Sequence, residues 1–160
     1  MKAPAPDAVE LQIPLNVHDG WPPTQVEALW ARPVPGKPDL LRVDNVPVFA
    51  VELAREDVVR IERIGGQATL VEVVRRGGHS TLRVIIDSDG DSDRIDDVAE
   101  SLSELGGGVQ RTFIDALLTV DIRPGADAAP LIAWLDQAEA DGRLEWEEGW
   151  LAEAHRPVLH

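Results

Sequence analysis

The stretch Gly77-Gly78-His79-Ser80-Thr81-Leu82-Arg83-Val84-Ile85-Ile86-Asp87 constrains this chain more than any other. Leu82, Val84 and Ile86 alternate with Arg83, Ile85 and Asp87. A period of two marks a strand with one face on a core. The glycine pair before it is a turn signal. The run Asp87-Ser88-Asp89-Gly90-Asp91-Ser92-Asp93 after it holds no apolar surface to pack, so the strand must stop there. The chain on the N-terminal side of this strand reads as short β segments and turns; on the C-terminal side, helices alternate with strands. The stretch is therefore the seam between two small folding units.

Upstream, Val9, Leu11, Ile13 and Leu15 alternate with polar residues, and Pro14 marks an edge strand or a strand end. Residues 25–34 resume strand character, with Val26, Ala28 and Trp30 on one side. Residues 40–43 and 48–53 read as extended. Apolar-rich runs on either side of Gly65-Gly66 read as a β-hairpin. Short strands at this spacing predict a small β-barrel or curled antiparallel sheet over residues 9–78.

Downstream, Ile95, Val98, Ala99, Leu102 and Leu105 fall at helical spacing, with aspartates and Ser92 where caps belong. Gly106-Gly107-Gly108 comes after this helix, so it is a helix stop and not a phosphate cradle. Residues 109–114 and 117–122 read as strands, and residues 128–140 as a second helix with Leu131, Ile132, Leu135 and Ala138 inward. Residues 144–151 form a last strand. The order predicts a ferredoxin-like βαββαβ unit over residues 79–152, and an α+β chain overall. Residues 1–8 and 153–160 read as a flexible N-terminus and a flexible tail. The face carrying Arg83 and Ile85 is expected to pack on the first unit or a second copy, or to bind a ligand or partner.

Of the 160 residues, 44% are hydrophobic and the formal net charge is −14. That charge repels phosphate backbones and anionic lipid, which argues against nucleic acid and membrane as partners. It would speed encounter with a basic protein. There is no cysteine, which removes disulfides and thiolate chemistry and suits a reducing cytoplasm. No apolar window approaches the roughly 18 residues of a membrane span, and the first residues carry no secretory apolar run.

The residues Trp30-Ala31-Arg32-Pro33, Asp44-Asn45-Val46-Pro47-Val48-Phe49-Ala50, Asp57-Val58-Val59 and Gly78-His79-Ser80-Thr81-Leu82-Arg83-Val84 resemble the uncharacterised bacterial domain-of-unknown-function family 4265. That family's pattern runs Trp-Ala, Asn-x-Pro-Phe, Gly-Asp-x-Val and Gly-x-Ser-Thr-x-Arg. Here Glu56 stands where the pattern has glycine before Asp57, so a different turn is expected there. The resemblance covers residues 26–86 and implies no activity. The usage of Ala, Arg, Asp and Val also resembles actinobacterial proteins.

Several groups could carry chemistry. Asp44, Asn45, Asp57, His79, Ser80 and Thr81 would gather carboxylates, an amide, an imidazole and two hydroxyls if their loops met, and Arg83 is a further candidate ligand-binding residue. Such a set could bind a small polar molecule or make a base–nucleophile pair. The structural reading is that Asp44-Asn45 before a proline serves a turn, as does Asp57. The acidic run places Asp89, Asp91, Asp93 and Glu100 at calcium-loop positions 1, 3, 5 and 12, but Arg94 stands at 6, where glycine is required. It reads as a solvated loop and helix cap. His18, His79, His155 and His160 show no metal-binding motif, and no cofactor is expected. Trp146 and Trp150 flank Glu147 and Glu148, with Glu145 just before them, and are read as core residues or interface anchors. Two functional readings are open. The first is an acidic cytoplasmic regulatory or interaction protein without catalytic activity, holding a basic protein or forming a homodimer. The alternative is a small-molecule binder or enzyme built on the loops of Asp44, Asp57 and His79.

Overall fold

A computed structural model describes residues 5–157 of the chain. The chain divides into two compact units, Met1–Gly77 and Gly78–His160. It is an α+β protein: two antiparallel-dominated sheets and two α-helices among the described residues.

In the first unit, β1 (Val9–Pro14), β2 (Val26–Val34), β3 (Lys37–Val43), β4 (Val58–Ile64) and β5 (Gln67–Arg75) pair in sequence order. The ring closes through a short parallel pairing, Leu11 with Ala68 and Gln12 with Thr69. Closure leaves β1 with two neighbours, so Pro14 marks the strand's end and not a sheet edge. Gly65 and Gly66 both have positive φ, 59° and 81°, and join Ile64 to Gln67 by a two-residue turn. Only a turn with that backbone twist matches the twist of the strands it links. Inside the ring lie Leu11, Ile13, Leu29, Ala31, Leu41, Val43, Val59 and Ile61, all buried.

One expectation fails here, the extended reading of residues 48–53. In β2, Val26, Ala28 and Trp30 share one side as expected, and it is the outward one: the inward set is Glu27, Leu29 and Ala31, while Val26 is 46% exposed. A glutamate lies on the buried parity because its carboxylate binds backbone there: it takes the N–H groups of Val48, Phe49 and Ala50. Residues 48–53 accordingly form no strand.

The second unit runs β6 (Ser80–Ile86), α1 (Ser92–Glu104), β7 (Gly108–Arg111), β8 (Leu117–Ile122), α2 (Ala129–Ala140) and β9 (Leu144–Trp150), then a 3-10 turn at Glu153–His155. The sheet order is β7-β8-β6-β9, with every pair antiparallel. Leu82, Val84 and Ile86 join Ile95, Val98 and Leu102 of α1 and Leu131, Leu135 and Ala138 of α2 in one core. Each large apolar side chain of this set contributes about 1.5–3 kcal/mol by leaving water. Asp91 caps α1, accepting from the Asp93 N–H at 2.9 Å. Beyond Leu105, Gly106 takes φ 95° and ends the helix. The first strand of the 109–122 region is shorter than expected and stops at Arg111, where Thr112 Oγ1 turns the chain by bonding Ile114 and Leu117. Residues 153–157, expected in a loose tail, include the 3-10 turn, with His155 buried. Residues 158–160, and with them His160, lie outside the described residues, as do residues 1–4 of the expected N-terminal arm.

Candidate functional site

The expected site residues fall in different units. Asp44, Asn45 and Asp57 belong to the first; His79, Ser80 and Arg83 belong to the second.

In the first unit they hold backbone. Asn45 Oδ1 accepts the Trp30 N–H at 2.7 Å. Asp57 is fully buried; its carboxylate accepts from the N–H groups of Ala54 and Gly77, both at 3.0 Å, and from Arg76 Nη1 at 2.9 Å. Buried carboxylates are tolerable only when saturated in this way. Asp44 lies 3.5 Å from Arg32, whose Nη2 also reaches both carboxylate oxygens of Glu56 at 3.0 Å. Glu56 itself has φ 72°, the special turn conformation that the glycine of the family pattern would take without strain.

Sequence reading missed Glu27. It is buried, and its carboxylate accepts from Val48 at 2.6 Å, Phe49 at 3.0 Å and Ala50 at 2.9 Å. Consecutive N–H groups converging on one anion form a backbone nest. Here the anion is part of the chain, so the Asn-x-Pro-containing segment is a corner clamped from β2. A charged residue on the inward parity of β2 was the signal that could have found it.

In the second unit, His79 Nδ1 lies 2.9 and 3.2 Å from the two oxygens of Asp121, itself buried. Ser80 is fully buried and sits 2.6 Å from Nδ1 of buried His155. The proton assignment rests on the partners. His155 Nε2 lies 2.9 Å from the Arg123 carbonyl, which can only accept, so Nε2 carries the hydrogen. In the neutral ring Nδ1 is then the acceptor, and Ser80 donates to it while accepting the Ala152 N–H at 2.8 Å. This Ser–His contact ties the segment after β9 to the start of β6. Arg83 is buried, with Nε donating to Glu147 at 2.8 Å, whereas Ile85 on the same strand parity is 46% exposed.

Trp146 packs half-buried against the helix-side core; its Nε1 donates to Asp136 at 3.2 Å and its backbone N–H to Glu139 at 3.0 Å. Trp150 is half-buried with the Arg156 guanidinium 5.8 Å from its ring centre.

The charge is lopsided. Met1–Gly77 carries eleven carboxylates against nine lysines and arginines; Gly78–His160 carries eighteen against six. The units are thus −2 and −12 by formal charge. Among the described side-chain carboxylates of the second unit, only Asp121 is buried. Counting charge per unit, not per chain, would have found this from sequence alone. Along α1, Asp93, Asp96, Asp97, Glu100 and Glu104 are all exposed, and the last turn has no basic residue. Asp96 pairs with Arg111.

These features define an α+β protein of two small units in which several of the expected site residues, Asn45, Asp57 and Ser80 among them, hold the backbone. The chain belongs to the family described as domain of unknown function DUF4265, whose model matches residues 27–146. The match runs from β2 into β9 and so extends well past residue 86, where the sequence resemblance ended. A solved structure, a hypothetical protein from Neisseria gonorrhoeae, is similar at 19% identity, over 91% of this chain and 96% of that one, with a TM-score of 0.73. That similarity shows a shared fold. No curated protein matches the chain. Among the described residues no helix is long and apolar enough to cross a membrane.

Proposed function

We propose that this chain is a non-enzymatic, acidic interaction protein whose second unit presents carboxylates to a basic protein partner. One observation carries the reading: the −12 charge of the second unit, nearly all of it exposed. Along α1 the carboxylate pairs Asp93/Asp97, Asp96/Glu100 and Glu100/Glu104 stand four residues apart. Each such like-charge pair costs about 0.2–0.5 kcal/mol at low salt. Glu104 also faces the negative end of its own helix. A basic partner would relieve all of these at once, and complementary fields raise association rates steeply. Self-association through this unit would bring two −12 surfaces together, so the partner we place there is a different protein and not a second copy.

The alternative, a small-molecule site at Asp44, Asp57 and His79, has less support. Asp57 and Asn45 spend their acceptors on backbone N–H groups, and Ser80 spends its hydroxyl on His155 and Ala152. In finer terms, we read the second unit as ferredoxin-like, because its strand order and pairing suit that arrangement, and the first as a small β-barrel. Composition alone favours a bacterial, cytoplasmic protein.

The test is capture of partners on the tagged protein from its host extract at low salt, eluted by salt steps. A basic protein released at moderate salt is expected. The variant Asp97→Asn/Glu100→Gln/Glu104→Gln should release it at lower salt while its melting temperature is unchanged or raised. Binding that ignores both salt and this variant would overturn the reading.

A further inference from the structure

Resting on that reading, we infer that a groove beside the C-terminal end of α2 seats an arginine or lysine side chain of the partner. The groove encloses about 670 Å³ between the end of β6, the start of β9 and α2. Its apolar wall is Ile85, 46% exposed and on the same sheet face as its cross-strand partner Glu145; Trp146 borders the groove from the helix side. Its polar wall is Asp87, Glu139 and Glu145, and among the described residues no lysine or arginine lines it.

Three properties fit one occupant. A long basic side chain needs apolar surface for its stem and anions for its head. Ile85 supplies the first, and the three carboxylates the second. The helix end adds to the negative field: α2 finishes here with no basic residue in its last turn. The walls are also held in place before binding. Glu139 is fixed by the Trp146 N–H at 3.0 Å, and the indole is fixed by Asp136 at 3.2 Å. Little ordering is then left to do when a ligand arrives.

The neighbouring cavity, of about 230 Å³, shares Ile86, Asp87 and Gly142 with this one, but there Arg94 and Arg143 balance Asp87 and Asp97, so it offers a cation no net negative charge. Arg143 is held over the Trp134 ring, 5.3 Å from its centre. The groove thus differs from the acidic face of α1, which offers charge without an apolar seat.

The experiment titrates the isotope-labelled full chain with Nα-acetyl-arginine amide at low salt, read by NMR, with the uncharged isostere Nα-acetyl-citrulline amide as control. Shifts should be concentrated at Ile85, Asp87, Glu145 and the Trp146 backbone amide, and citrulline should produce none. Asp87→Asn and Glu145→Gln, whose side chains lie on the exposed surface, should each weaken binding about two- to fivefold, the range of an exposed ion pair. Glu100→Gln/Glu104→Gln should leave it unchanged. Shifts spread over every exposed carboxylate, equal response to citrulline, or no response would each overturn the groove assignment. A partner still captured in a salt-dependent way by the Asp87→Asn/Glu145→Gln protein would sink the groove and leave the acidic-partner reading standing. Loss of capture with the α1 variant alone would do the same.

Discussion

Removing the carboxylate of Asp57 decides whether this residue serves the fold or a ligand. In Asp57→Ala the N–H groups of Ala54 and Gly77 lose their acceptor, and Arg76 loses an anion 2.9 Å away. Asp57 has no exposed surface, so water cannot replace it without rearrangement. An orphaned buried donor costs about 1–3 kcal/mol, and two are created. Arg76 is about one-third exposed and can be resolvated, so its share is small. The expected loss is therefore about 2–6 kcal/mol, a large part of the about 5–15 kcal/mol that holds a typical domain. Urea unfolding followed by circular dichroism would measure it, and amide exchange would show Ala54 and Gly77 losing protection first. Asp57→Asn keeps the shape and one acceptor, and should fall between the alanine variant and wild type. A loss under about 1 kcal/mol for alanine would refute the structural argument, because a residue that costs so little to remove is not satisfying buried donors.

The same geometry gives three more outcomes. Gly77→Ala would place a Cβ 2.5 Å from the Glu56 carbonyl oxygen, which is backbone, and should destabilise the first unit by more than Gly66→Ala, where φ is 81° but nothing lies within 4 Å; paired thermal melts would rank them. Ser80→Ala leaves the Ala152 N–H and His155 Nδ1 without partners and should cost about 1–3 kcal/mol, with exchange at Ala152 accelerated before the sheet opens. Glu104→Lys replaces a carboxylate with a cation in the last turn of α1 and should gain about 0.3–1 kcal/mol at low salt, a gain that shrinks as salt rises and that chemical denaturation at two ionic strengths would measure.

Much of the fold was legible because it rests on periodicity. The alternation around Leu82, Val84 and Ile86 and the helical spacing of Ile95, Val98 and Leu102 each point one face at a core, and each face is buried. Gly65-Gly66 was legible for a different reason, since few turns other than a two-residue hairpin use positive φ at both positions. Residues 48–53 misled because their apolar run was read as a strand, whereas the donors of Val48, Phe49 and Ala50 belong to Glu27, 21 to 23 positions away. Long-range side-chain pairing leaves no local pattern. The same applies to Asp121 beside His79 and to His155 beside Ser80, 75 positions distant. The groove at Asp87, Glu139 and Glu145 joins the ends of three elements, and only the fold brings such ends together.

The grip of Glu27 on Val48, Phe49 and Ala50 has a consequence for how this corner can vary. Loops ordinarily absorb insertions because water accepts whatever their backbone offers. This corner has a fixed gauge instead. One added residue would slide an N–H out of reach of the two oxygens, leaving a buried donor with nothing to meet it. Its length should therefore be as rigid as a strand's register, and the Phe49 and Ala50 amides should exchange with solvent as slowly as those of the strands, although the corner belongs to no sheet.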